Sequence, residues 1–225
     1  MPSSLETIKT LEEGIERTLN SLEMKGQLPD ALTGYRDIEG KILALHLGQQ
    51  ELGFSEQQRV LAYCLMREAN LLRQLGSKDE ASKVSEREIA AARRSGDSIT
   101  LARSLMSNGT TKLVAGDTKE GLGLIEEARP VFERGDTFDH KQGLGWYWIL
   151  QADLRNANMI PGGPVESIKA ASHAIELLTP LENWPGVARG YAARAKAHET
   201  AGDLKAAEAD RVEQGKHEKL VSSAR

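Results

Sequence analysis

One short word recurs along this chain and constrains its fold more than any other feature. Residues 201–207 read AGDLKAA and residues 115–121 read AGDTKEG. LGSKDEA (75–81) and KGQLPDA (25–31) are relatives of the same phrase. Each places a Gly, four intervening residues and a small residue: Gly26/Ala31, Gly76/Ala81, Gly116/Gly121 and Gly202/Ala207. The physics of the word is a helix–turn–helix corner. Gly ends a helix because it takes positive φ at little steric cost. Asp or Ser directly after it can cap the next helix by accepting backbone N–H bonds. The small residue five positions on then sits where two helices approach closely.

A second series runs in phase with the first. Seven residues before the Gly stand Ala69, Gly109 and Ala195, with Leu19 as the bulky exception. Trp148, four residues earlier, places Ala152 in the same series. Its corner is stretched to NMIPGGPVES, about three residues longer by the repeat logic, and Ser167 becomes the small residue of the following helix. Leu19, Ala69, Gly109, Ala152 and Ala195 step by 50, 40, 43 and 43 residues. A fixed period of this size means stacked supersecondary units.

Composition agrees. Ala, Leu, Glu, Lys and Arg dominate, Pro is scarce at 7, and aromatics are 4%. These are helix formers, and period-two runs of β-branched residues are missing. The expectation is an all-α chain of ten helices in five antiparallel pairs, forming one domain over 1–225. The pairs cover roughly 4–51, 55–95, 97–134, 140–179 and 185–222. Within them the helices run 4–25, 29–51, 55–75, 78–95, 97–115, 118–134, 140–158, 165–179, 185–201 and 203–222. Ile168, Ala171, Ala174, Ile175 and Leu178 make a helical apolar stripe.

The net charge of −4 comes from 33 acids and 29 bases that are interspersed. No polybasic block points to nucleic acid or anionic lipid. The lone Cys64 excludes an internal disulfide framework. Residues 1–10 (MPSSLETIKT) lack the apolar centre of a secretory signal, and no apolar run reaches the roughly 18 residues of a membrane span. A cytoplasmic protein that binds neither nucleic acid nor membrane is expected.

These repeats resemble the tetratricopeptide repeat (TPR). Trp148 and Ala152 match that family's Trp and Gly. Ala81, Gly121, Ser167 and Ala207 match the first small residue of its second helix, Tyr35 its aromatic, and Ala128 and Ala174 its next small residue. Pro180 stands near its usual proline, while Ile125 and Ala171 replace the aromatic in later copies. The resemblance implies a right-handed superhelix, an α-solenoid whose first helices line a concave groove. The period of 40 to 43 exceeds the usual 34 and is similar to the longer repeats of bacterial regulators and kinesin light chains. One or two extra turns are expected in the second helices. The polar last helix (Glu208, Asp210, Arg211, Glu213, Gln214, Lys216) reads as a solubilising cap.

Helical phase carried onto the resemblance gives a candidate lining. The first pair offers Glu13, Glu16, Asn20 and Glu23; the second Tyr63, Met66, Asn70 and Arg73; the third Arg103, Met106, Thr110 and Leu113. The fourth offers Trp146, Ile149, Asp153 and Asn156, and the last Arg189, Lys196 and Glu199. Met66, Met106, Trp146 and Ile149 provide adaptable apolar area. Asn70, Arg73, Arg103 and Thr110 provide hydrogen bonds for an extended backbone or a carboxylate. The lining grades from acidic to basic along the chain, which would orient a peptide. Trp148 is expected in the core.

Catalytic patterns are missing. His46, His140, His173, His198 and His217 are dispersed, with no HExxH arrangement. His198 falls near the family's Tyr, where packing between helices is expected. Cys64 sits in apolar AYCLM and is expected buried. GYRDIEGKI (34–42) has five residues between its glycines, ends in Ile and lies inside a helix, so it is not a phosphate loop. Gly121-Leu-Gly123 and Gly143-Leu-Gly145 are too short for a dinucleotide fingerprint. The chain is therefore expected to be no enzyme, with no cofactor and no metal, and to be an interaction module holding a partner peptide or helix in its groove. Two alternatives stand beside this: a ligand- or peptide-sensing regulatory module, motivated by the stretched turn and the Trp146–Trp148 pair, and a self-assembling homo-oligomeric scaffold.

Overall fold

The computed structural model describes residues 3–223, so the first two and last two residues of the expected domain lie outside it. The described residues form ten α-helices and no strand. They are α1 (Ser4–Ser21), α2 (Leu28–Leu43), α3 (Phe54–Gln74), α4 (Lys78–Ser95), α5 (Ser98–Ala115), α6 (Thr118–Glu133), α7 (Phe138–Asn156), α8 (Gly163–Leu178), α9 (Trp184–Thr200) and α10 (Leu204–Ser223). A single 3-10 turn, Glu23–Lys25, follows α1. The chain divides into two compact units, Met1–Ala128 and Arg129–Arg225, with the boundary inside α6.

The recurring word is one turn built repeatedly. Gly26, Gly76, Gly116 and Gly202 all have φ between 77° and 98°. At Gly116 the N–H donates to Leu113 O (3.1 Å) and that of Asp117 to Lys112 O (2.9 Å). At Gly202 and Asp203 the same two bonds run to Glu199 O (3.0 Å) and His198 O (2.9 Å). This paired closure satisfies the last carbonyls of the preceding helix. Asp203 then accepts from Ala206 N at 3.0 Å, capping α10. Ser77 makes no such side-chain bond at α4.

The stretched corner uses the same device on a different residue. Asn158 has φ 56°; its N–H donates to Arg155 O (2.9 Å), and that of Met159 to Leu154 O (2.8 Å). Asn is among the few non-glycine residues that visit this region readily. The additional residues therefore follow an ordinary closure, lying between it and the start of α8.

The small residues sit where helices cross. In the first unit, a Cβ on Gly109 would lie 2.7 Å from Gly121 O, and one on Gly121 2.7 Å from Gly109 O. Only two glycines permit that approach of α5 to α6. Ala69 and Ala81 are fully buried in α3 and α4. In the second unit Ser167 Oγ donates to Ala152 O at 3.1 Å, so the α7–α8 crossing is hydrogen-bonded as well as close. Ala195 and Ala207 are buried at the α9–α10 crossing. Gly143 has a packing role rather than a nucleotide-binding one, since a Cβ there would fall 2.2 Å from the Phe132 ring.

Each unit buries its own apolar cluster. The first gathers Ile8, Ile15, Tyr35, Leu65, Leu71 and Leu72 among others. The second gathers Ile149, Ala174, Ile175, Leu178 and Val187, and beside them Ala152, Ala170, Ala171 and Ala193. The α8 stripe is buried at Ala171, Ala174, Ile175 and Leu178 and half-buried at Ile168. Each fully buried Leu or Ile contributes about 1.5–3 kcal/mol by removal from water.

Two expectations need correction. α2 stops at Leu43 instead of continuing to residue 51. Leu45 and Leu47 kept the apolar rhythm going, but they pack back onto the first cluster from a loop in which His46 takes φ 50°. The Gln57 side chain donates to Ile42 O at 2.7 Å and satisfies a carbonyl of the shortened end. The long period is also not confined to the second helices. First helices have 17 to 21 residues and second helices 16 to 20, so both lengthen. None of the described helices is long and apolar enough to cross a membrane.

Two glycines of the same region should respond oppositely to alanine. Gly109→Ala meets the Gly121 carbonyl and should lower stability by about 1–3 kcal/mol. Gly123→Ala lies on the open side of α6 with nothing within 4 Å of the new methyl, and should raise stability by about 0.5–1 kcal/mol. Urea unfolding followed by circular dichroism measures both. Equal effects would mean that the crossing does not require glycine.

Candidate functional site

In the first unit the first helices of successive pairs pack side by side, α1 on α3 and α3 on α5. Polar rungs join α1 and the turn that follows it to α3. Arg59 Nη2 donates to both Glu12 oxygens at 2.7 Å. Tyr63 Oη donates to Glu16 Oε1 at 2.7 Å. Arg67 pairs with Glu23, which also accepts from Tyr35 Oη of α2 at 2.7 Å. The rungs follow from sequence: α1 places acids at 12 and 16, the 3-10 turn after it places one at 23, and α3 places donors at 59, 63 and 67 along its facing side. The acidic start expected for the lining is therefore largely spent on α3, and the Tyr63 hydroxyl with it.

Between α3 and α5 the chemistry changes. Arg73 Nη1 donates to Thr111 Oγ1 (2.5 Å) and Ser107 O (3.3 Å), and Nη2 to Asn70 Oδ1. All three acceptors are neutral, and no carboxylate pairs with Arg73 among the described residues. Burial depresses its guanidinium to about 10, offset by the field of Glu88. Glu88 of α4 is completely buried. It accepts from Ser107 Oγ at 3.0 Å, while its Oε1 meets no donor among the described residues. Burial pushes its carboxyl up to about 8, against the opposing pull of Ser107 and Arg73. Ser85 Oγ lies 2.8 Å from Thr111 Oγ1, and Asn108 Nδ2 donates to Ser85 O at 3.1 Å. A polar seam thus links α3, α4 and α5, with a neutral carboxyl on its inner side and a guanidinium toward the first-helix face. Glu68 of α3 is a second buried carboxyl, raised to about 7 by burial although Arg36 lies 4.0 Å away.

The remaining candidates of this unit, Met66, Arg103, Met106 and Thr110, are half-buried. Thr110 Oγ1 donates to its own helix at Met106 O (2.9 Å), and Arg103 makes a polar or charge contact of its own. Both methionines are partly accessible: Met66 stands one turn before Asn70 on α3, and Met106 precedes Ser107, whose carbonyl accepts from Arg73, on α5. Cys64 is buried, with its thiol against Tyr35 O at 3.3 Å and pushed up by burial.

In the second unit the candidates separate into three kinds. Ile149 is 3% exposed and belongs to the apolar cluster, so it lines no groove. Its residue type suits a groove, but its phase on α7 turns it toward Ile175 and Val187. Asp153 and Arg189 pair at 2.7 Å between α7 and α9, and Asn156 Nδ2 donates to Ala193 O at 2.9 Å. These residues stitch first helices together as the rungs of the first unit do. Trp146, 37% exposed, and Lys196 remain at the surface. Trp148 packs against both apolar clusters with the Arg129 guanidinium 5.6 Å over its ring. His198 is half-buried with Nε2 3.9 Å from Asp210. Among the described residues no group of three or more His, Cys, Asp or Glu is placed to hold a metal.

Sequence reasoning missed Glu88, Ser107 and Thr111. A signal existed: the buried stripe of α4 is Ala81, Val84, Ser85, Glu88, Ala91, Ala92 and Ser95, and Glu88 falls on it in phase.

The two raised carboxyls make stability pH-dependent. Each binds its proton more tightly folded than at the ordinary value of 4.5. Their stabilising effect is complete below about 4.5 and lost as pH rises through about 7 and about 8. Thermal unfolding should therefore occur at a lower temperature at pH 9 than at pH 6. Glu88→Gln should flatten this slope, removing a loss on the order of a few kcal/mol. A melting temperature unchanged across that range would contradict the protonation assigned to Glu88.

No protein-family model and no curated protein matches the chain. Solved structures do. The chain resembles BtubC (BKLC) from P. vanneervenii at 15% identity and TM-score 0.58, covering 98% of this chain and 93% of that one. A Podosopora anserina putative kinesin light chain with nearly identical TPR-like repeats matches at 14% identity and TM-score 0.54, over 100% and 98% of the two chains. A Rap protein complexed with Competence and Sporulation Factor matches at 14% identity and TM-score 0.63, over 100% of this chain and 67% of that one. At such identities the likeness concerns the fold, and that fold is the TPR-like all-α helical repeat.

Proposed function

We propose that this protein is a protein-interaction module rather than an enzyme, and that the α3–α5 face of its first unit holds an extended peptide segment of a partner by a carboxylate at Arg73. The observation that carries the reading is the electrostatic state of Arg73. Along α3, Arg59 and Arg67 have carboxylate partners, whereas Arg73 has only neutral acceptors and a guanidinium depressed to about 10 by burial. A half-buried cation without a counter-charge gains when an anion arrives, because the anion offsets the desolvation already incurred. Asn70 and the Ser107 carbonyl hold the guanidinium in place, so little side-chain freedom remains to be lost on binding. Met66 and Met106 offer polarizable area that adapts to varied side chains. The Rap protein of similar fold was solved with Competence and Sporulation Factor bound, which supports a recognition role for this architecture.

Selection of peptides from a displayed random library, followed by fluorescence anisotropy, tests the proposal. Selected peptides should carry a terminal or side-chain carboxylate, and converting that group to an amide should weaken binding. Arg73→Ala should cost tenfold or more, the worth of about 1.5–3 kcal/mol for a charged hydrogen bond. Met106→Asp, which leaves the Arg73 contacts in place, should weaken the same peptides. If both variants fold and bind them as tightly as the natural chain, the α3–α5 face is not the docking face.

A further inference from the structure

The outward side of α10 has a pattern that the repeat itself does not need. Burial defines the packing side: Ala207 and Asp210 are buried, and Asp210 is held by Arg194 at 2.7–2.9 Å. His217 completes that side, stacked on Tyr191 with ring centroids 5.3 Å apart. The opposite side exposes Leu204 (70%), Val212 (50%) and Leu220 (41%). Positions 204, 208, 212, 216 and 220 step by four, which makes them one ridge of the helix surface. The ridge is antisymmetric about Val212. Glu208 stands four residues before it and Lys216 four after, with Leu204 and Leu220 at eight and the small Ala209 and Gly215 at three.

We propose that this side of α10 is a self-association surface, on which a second copy of the chain packs antiparallel about a two-fold axis through Val212. A two-fold contact is self-complementary by construction: what stands before the axis on one copy meets what stands after it on the other. Here that rule brings Glu208 to the partner's Lys216 twice, and Ala209 to the partner's Gly215 twice. The small residues let the two backbones approach, and Val212 meets the partner's Val212 at the centre. A parallel pairing would set Glu208 against Glu208 and Lys216 against Lys216, so charge selects the antiparallel arrangement. In the free chain Glu208 rests 3.3 Å from Arg211, and Lys216 2.6 Å from Glu213. Such exposed pairs are worth about 0–1 kcal/mol and exchange partners at little cost. Lys205 and Lys219, seven residues either side, carry like charges and confine the contact to the central turns. One helix side of this length buries less than about 1,200 Å² in total, which places the dimer at the weak, transient end.

Sedimentation velocity across the micromolar range tests this on the whole chain. The mass should rise with concentration from 24.6 kDa toward twice that value. Val212→Arg should leave a monomer with unchanged helical circular dichroism. Glu208→Lys and Lys216→Glu should each weaken association about tenfold, a loss of about 1.4 kcal/mol, and the two together should restore it. A monomer at every concentration, a dimer that survives Val212→Arg, or a double variant as weak as the singles would each overturn the proposal. None of these outcomes depends on the peptide reading of the first unit.

Discussion

The close crossing of two helices at a pair of small residues is the constraint on which the rest of the structure depends. At Gly109 and Gly121 the approach is tight enough that a methyl on either would strike the other's carbonyl. At Ala152 and Ser167 the same approach is secured by a hydrogen bond to the backbone. A corner closed by a left-handed residue brings the second helix back at the angle that makes this crossing possible. Corner and crossing must therefore be written together, which is why the chain repeats them in phase. Once each pair is fixed, its remaining sides are committed as well: one stripe packs into the cluster, and within each unit the first helices meet, α1 with α3, α3 with α5 and α7 with α9.

That meeting of first helices decides which side chains remain for recognition. In the first unit the rungs Arg59–Glu12, Tyr63–Glu16 and Arg67–Glu23 engage side chains that would otherwise face a partner. In the second unit the Asp153–Arg189 pair links α7 and α9 in the same way. Arg73 departs from this arrangement. The carboxyl whose field it feels, Glu88, is buried on another helix and holds its proton to about 8. Under the proposed function, Arg73, half-buried with uncharged acceptors, would favour an anionic guest.

Much of the fold was legible in the sequence because corners and crossings are local. Gly, Asp and a small residue within seven positions state both the turn and the approach, and all five corners fall where the repeat places them. The limit of α2 was not legible, because Leu45 and Leu47 preserve the apolar rhythm while leaving the helix. Site residues were harder for a related reason. Helical phase put Met66, Asn70 and Arg73 on one side of α3, but phase cannot tell a free side chain from one paired with the next helix, as Tyr63 and Asp153 are. Nor did residue type help with Ile149, which buries in the cluster. Glu88 was hidden by its charge: a carboxylate invites assignment to the surface although its stripe places it inside.

The most direct test is a leucine scan of the crossing series, with unfolding free energies taken from urea titration. Ala69→Leu, Gly109→Leu, Ala152→Leu and Ala195→Leu should each cost about 3 kcal/mol or more, since a branched side chain must force apart two packed backbones. Leu19→Ala, at the half-exposed member of the series that already lacks a small residue, should cost about 1 kcal/mol or less. Leucine tolerated at the four small positions would contradict the account, because the crossings would then not be set by the small residues that the sequence repeats.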